Sequence, residues 1–232
     1  MAHSLIQDTE FGAVTVRRSK LSRNITLKID QRGSISISMP LRAPLFLAKT
    51  LLAQSRTQIR RHLAKAQTEQ AVLAHGSVIG KSHKLVVQQG TDYASRLSGT
   101  ELIVTLPAGT DPLAQPAQQF IKDAALKALR TQAKAYLSRR LNALAAQYGF
   151  NYQQARFSNA GTRWGSCSAT GTISLNIWLM QLPFELIDYV IIHELCHTRH
   201  MDHSPRFWNL VESILPDYHI RRRALKAERP YL

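Results

Sequence analysis

Four of the chain's nine histidines stand within eleven residues, from His193 to His203, inside the stretch Ile191–Trp208, IIHELCHTRHMDHSPRFW. If this stretch begins as a helix, His193 and His197 lie one turn apart and only about 40° apart around the axis, so both imidazoles can reach one ion. Glu194 then lies about 80° to one side of their midpoint. That is poor geometry for a third ligand and good geometry for holding a water on the ion. The arrangement is H-E-x-x-H: two zinc ligands and a general base. Zinc, or a similar divalent metal, brings the pKa of its water towards ~7, where a carboxylate can take the proton.

A third ligand is needed, and two histidines compete for the place. On a continued helix His200 would sit about 4.5 Å farther along the axis than His197, too far to close a tetrahedron. His203 reaches the ion only if the chain turns back. Ser204-Pro205 is an N-cap followed by a proline suited to a first helical turn, so a second helix starts there and the first ends within Thr198–Asp202. His203 is therefore the expected third ligand. His200 is expected as a turn residue, an outer contact or a transition-state donor. Asp188, Glu212 and Asp217 are the nearby acids that could accept the second N–H of a ligating histidine. Cys196 reads as a small buried packing residue, and nothing in the spacing requires Cys167 at the site.

The helix that presents these groups spans about Pro183–Arg199. Its segment LIDYVIIHELC is apolar nearly all round, so it should be buried. Upstream, Gln118–Tyr148 has neither Gly nor Pro and ends at Gly149, the pattern of a long helix with a glycine just past its end. Between the two lies an expected hairpin: Asn151–Cys167 and Thr172–Met180 joined by Ala169-Thr170-Gly171. A further helix is expected at Pro205–Leu215, then a basic tail. Residues 12–40 read as β, with a turn at Gln31-Arg32-Gly33, and residues 43–67 as helix. The segments HKLVVQQ and ELIVTLP read as strands flanking a polar turn, TDYASRLSG. The expected division is an N-terminal β-rich region with one helix, 1–112, and a metal-dependent hydrolase core, 113–232.

Thirty Lys and Arg against fifteen Asp and Glu give a net charge of +15. Such a field attracts phosphates, in a nucleotide or in a nucleic acid. Two cysteines argue against a disulfide framework, and no apolar run approaches the ~18 residues of a membrane span. The N-terminus does not read as a secretory signal. A cytoplasmic protein that does not enter a membrane is expected.

RWGSC, the LN of TISLN, HELCH, His203 and PRFW together resemble the YgjP-like metallopeptidase-domain family, in its order and spacing, through most of the C-terminal half. The segments VRRSKLSRNITLKID and GSISISMP also look like that family's N-terminal β region. The resemblance implies an α+β fold: an N-terminal β-rich region, then a zincin-like core related to the SprT and WLM metalloproteases. That core has a backing helix, a small antiparallel sheet, the HExxH helix and a following helix. It implies His193, His197 and His203 as ligands of Zn2+ or another divalent metal, and Glu194 as catalytic base. It implies Thr172–Met180 as the edge strand above the cleft, presenting Ser174, Asn176 and Trp178 on one face, where an extended substrate would pair. The His193–His203 spacing also fits the metzincins, but His200 stands where they have glycine, and no later methionine follows.

These observations point to metal-assisted hydrolysis without naming the bond. A zinc metallopeptidase acting on a peptide or protein is the first expectation. A nucleotide pyrophosphatase is the alternative suggested by the charge and by assignments within the resembled family. A DNA-associated SprT-like protease, or a nucleic-acid-binding protein, is the third. Arg163, His200, Tyr218 and His219 are candidates for substrate or transition-state contacts.

Overall fold

The computed structural model describes residues 2–29, 34–61 and 72–228. The turn at Gln31-Arg32-Gly33 and residues 62–67 of the expected first helix lie outside these. The chain forms two compact units, Met1–Ala71 and Val72–Leu232. The sequence suggests a division at 112/113 instead. The β segments within residues 78–107 belong with the second unit, because Leu85, Leu102, Val104 and Leu106 share one core with the long helix.

In the first unit, β1 (Ala2–Asp8), β2 (Gly12–Ser19), β3 (Thr26–Ile29) and β4 (Ile35–Pro40) form a sheet of order β1-β2-β4-β3. β2 and β4 are parallel, and the other pairs are antiparallel. Val14, Val16, Ile35, Ile37 and Met39 alternate inwards against Ala48 and Leu52 of α1 (Leu45–Gln54) and against Ile59. That alternation is the period-two pattern that strands require. β1 escapes pattern reading because Ile6 is buried and its neighbour Leu5 is exposed. Asp8 and Glu10 receive Arg56, and Glu10 also receives Arg60, in one ion-pair cluster.

In the second unit, β5 (Val78–Ile79), β6 (His83–Gly90), β7 (Ala94–Ser98) and β8 (Glu101–Pro107) form a sheet of order β5-β6-β8-β7. The expected polar turn between two strands is itself strand β7. All five of its residues are exposed at a sheet edge, so it carries no apolar alternation. α2 (Gln115–Tyr148) backs the unit, burying Ile121, Leu129, Leu137, Leu141 and Leu144 along one side. Gly149 ends it in the left-handed conformation at φ 67°, where a side chain would be strained.

The third sheet corrects two expectations. It is mixed, not antiparallel, with order β10-β11-β9. β9 (Gln154–Ser158) runs parallel to β11 (Thr172–Asn176), and β10 (Gly165–Cys167) pairs antiparallel with β11. Residues 159–164 carry the chain from one edge of the sheet to the other, and the hairpin returns it to the middle. Thr172–Met180 is therefore not an edge strand. Only 172–176 is extended, as the central strand, and Ile177–Gln181 coils into a buried 3₁₀ turn. The edge beside the HExxH helix is β10.

α3 (Phe184–His197) carries that motif, and buries ten of its fourteen residues. α4 (Pro205–Ile214) follows the turn, starting at Pro205 as its sequence requires. The expected basic tail instead forms α5 (Tyr218–Ala227), which packs on α3 and bonds it through Arg221 Nη1 to the Glu185 carbonyl at 3.0 Å. Arg140 on α2 and Asp188 on α3 join the two helices through paired bonds of 2.7 and 2.6 Å.

Candidate metal centre

α3 ends at His197. Thr198, Arg199 and His200 donate backbone N–H groups to the Leu195 and Cys196 carbonyls, turning the chain away from the helix axis. Arg199 anchors the turn: its Nη2 donates to the Gly149 carbonyl at 2.7 Å, and its guanidinium lies 4.3 Å from the Phe150 ring centroid. The chain then returns along Met201–Ser204. His193, His197 and His203 come together, each with a ligand nitrogen within 4.8 Å of the others.

His193 Nε2 and His203 Nε2 lie 3.2 Å apart. Two imidazole nitrogens on a tetrahedral zinc at ~2.0–2.1 Å would be about 3.3 Å apart, so the separation fits two ligands of one ion. His197 Nδ1 donates to the His200 carbonyl at 2.9 Å, since a carbonyl can only accept. The proton is thereby fixed on Nδ1, and Nε2 keeps its lone pair. The acceptor that orients this ring is thus a backbone carbonyl. Of the acids considered for the role, Asp188 is paired with Arg140 and Asp217 with Arg221. Burial, followed by the charges of His197 and His203, pushes the His193 imidazole down to about 3. Burial also lowers His197. Neutral imidazoles are the form that binds a metal.

Phe207, fully buried on α4, forms the floor of the cluster. It stacks on His197 at 4.4 Å and meets His193 and His203 edge-on, each at 4.9 Å. Trp208 stacks on His203 at 5.5 Å and on Tyr218 at 5.4 Å, and the Arg222 guanidinium sits 4.4 Å from the Trp208 ring centroid. His203, the exposed member of the triad, is thus held by an aromatic ladder. Phe207 and Trp208 are visible in the sequence only as part of PRFW, whose apolar residues look like ordinary core.

Glu194 is buried, 5 % exposed, and Oε2 has no hydrogen-bond partner. His193 Nδ1 is also buried and unpartnered. Burial pushes the Glu194 carboxyl up to about 8, while the charge of Arg163 opposes the rise. An orphaned carboxylate oxygen, Glu194 Oε2, beside three imidazoles whose nitrogens converge is costly unless a cation or its water joins them. The residues present therefore fit a bound divalent ion.

Gly165, Ser166, Cys167 and Met201 complete a cavity of about 260 Å3 with Glu194 and the three histidines. Burial, and then Glu194, raise the Cys167 thiol, which keeps it protonated. Burial pushes Cys196 up to about 12, in keeping with packing alone. A larger hollow of about 500 Å3 by His75 and Asp111 has none of these ligands in its lining.

The remaining candidates fall elsewhere. Asn176 Nδ2 donates to the Ala160 and Arg163 carbonyls at 2.6 and 2.8 Å, and Trp178 Nε1 donates to Asn159 Oδ1 at 2.6 Å. Both side chains are buried and fasten the 159–164 loop, so they are not presented on a strand face above the cleft. Tyr218 is buried against Trp208, and His219 packs on Tyr218 at 3.8 Å. Arg163 is exposed, with its charge felt at Glu194. The His200 carbonyl accepts from His197 Nδ1.

The model of the YgjP-like family, described as a metallopeptidase domain, matches residues 23–228. No curated protein matches. Part of the chain is similar to the metallopeptidase zymogen of Pyrococcus abyssi abylysin, at 25% identity over 41% of this chain and 98% of that one, with a TM-score of 0.36. The zymogen of Methanocaldococcus jannaschii jannalysin is similar at 22% identity over 39% and 91%, with a TM-score of 0.34.

Proposed function

Since the chain belongs to the YgjP-like metallopeptidase-domain family, we propose that it is a zinc-dependent peptidase in which His193, His197 and His203 hold the metal and Glu194 is the general base. The observation that carries this reading is the convergence of three imidazole nitrogens within 4.8 Å in a cavity that Glu194 also lines. An all-nitrogen donor set with an open side suits zinc. When bound, such an ion polarises a carbonyl and makes water a nucleophile near neutral pH.

The chain's own groups do the rest. Glu194 Oε2 takes the proton of the attacking water and returns it to the leaving amine. Burial raises the affinity of this carboxylate for a proton, and Arg163 limits the rise so that the ionised form stays accessible. The free edge of β10, on the wall beside Glu194, offers backbone groups for pairing with an extended peptide.

Glu194→Gln keeps the side chain's size and removes the base. It should retain stoichiometric zinc while peptide hydrolysis falls by ~10²–10⁴-fold. Retained activity, or wild-type protein that takes up no metal, overturns the reading. Nucleoside triphosphates and DNA belong in the same assay. Glu194-dependent cleavage of a phosphoanhydride without peptide cleavage would favour the nucleotide hydrolase that the +15 charge suggests. Peptide cleavage that requires DNA, with a steep salt dependence, would favour a DNA-associated protease.

A further inference from the structure

Gly165 opens β10 opposite Leu175 of β11. A Cβ built on it would lie 2.5 Å from Glu194 Oε1, 2.7 Å from Cγ and 2.8 Å from Cδ. Non-bonded carbon atoms meet at ~3.5–4.0 Å, so all three contacts are overlaps. Gly165 is not among the glycines with positive φ. Its backbone would accept another residue, and it is the space that forbids one.

All three atoms met belong to the Glu194 side chain, so the carboxylate is what must move. Glu194 is 5 % exposed and sits on α3 beside Leu195, which is fully buried. The strand is fastened from the other direction. Asn176 holds the Ala160 and Arg163 carbonyls, and its backbone N–H donates to the Trp164 carbonyl at 2.8 Å, one residue before Gly165. Trp178 holds Asn159. The 159–164 loop therefore delivers Gly165 to a fixed place over the carboxylate.

We propose that Gly165 is the positioning residue for Glu194: the missing side chain forms a slot that sets where the carboxylate stands, and Asn176 fixes the wall of that slot. The proposal rests on the reading of Glu194 as general base. Restoring ordinary contact after Gly165→Ala requires a shift of roughly 1 Å, and a displacement of that size costs about 10²-fold in rate. The loss falls on kcat, because the base acts in the chemical step and the metal ligands are untouched.

The test uses the full chain in four forms: wild type, Gly165→Ala, Glu194→Ala and the double variant, with Glu194→Gln as activity control. Gly165→Ala should keep stoichiometric zinc and a KM within about twofold of wild type while kcat falls about 10²-fold. In metal-free protein it should lower Tm when Glu194 is present, and not when Glu194 is already alanine, because the clash partner is gone. A wild-type kcat in Gly165→Ala beside an inactive Glu194→Gln overturns this proposal alone. So does an equal loss of Tm in both backgrounds, which would make Gly165 a packing residue of the strand. Full activity of Glu194→Gln overturns the general-base reading and this proposal with it.

Discussion

Replacing Phe207 by alanine should damage both the core and the metal centre, by amounts that can be separated. The ring is fully buried and touches all three imidazoles, at 4.4, 4.9 and 4.9 Å. Emptying such a site costs about 3–5 kcal/mol through lost transfer energy and the residual cavity. For a chain of this size that is roughly a 6–20 °C fall in Tm. The aromatic contacts also set ring orientation, as outer groups around a metal do, so metal affinity should drop a further ~10–100-fold. That drop removes about 1.4–2.7 kcal/mol from the stabilisation that zinc provides at saturating concentration. Calorimetric melts with and without zinc, together with a competition titration for Kd, measure the two effects separately. Phe207→Leu keeps much of the volume without the ring faces and should fall between. If Phe207→Ala loses stability yet binds zinc with the wild-type Kd, the ring does not orient the ligands. If it loses less than about 1 kcal/mol, the residue is not the core anchor its burial implies.

Two further predictions concern charge. In the first unit, the hydrogen bonds and charges of Arg60 and Arg56 hold the Glu10 carboxyl down at about 2, and a bond from the Glu10 N–H is the main cause lowering Asp8. A folded-state pKa below the unfolded one gives stability that is present above pH ~4.5 and is lost as pH falls through ~2. Amide exchange along β1 and β2 should therefore quicken over that window, and Arg56→Met should flatten the dependence. In the second unit, Asp188→Asn should weaken the α2–α3 link by about 1 kcal/mol, a modest figure because the Arg140 side chain is 38% exposed. Denaturation should show the loss shrinking in high salt.

Legibility differed from element to element. The Gln115–Tyr148 and Phe184–His197 helices were plain because apolar spacing, a terminal glycine and proline starts are local signals. β7 was hidden because an exposed edge strand carries no buried face to leave a pattern. The order of the small sheet was hidden as well. Whether Thr172–Asn176 lies at the edge or the centre depends on where the 159–164 loop crosses, and that is set by Asn176 and Trp178 bonding residues 13 to 19 positions away.

Helical geometry makes His193, Glu194 and His197 neighbours, and Ser204-Pro205 forces the turn that lets His203 approach. These are consequences of covalent order and of the 3.6-residue period, so the sequence alone determines them. Tertiary structure decided the surroundings. It made the His200 carbonyl the acceptor for His197, made Phe207 the floor beneath three imidazoles, and brought Gly165 of a sheet edge against Glu194 of a helix. Each of these is a contact through space between separate segments, whose spacing along the chain carries no period from which it could be read.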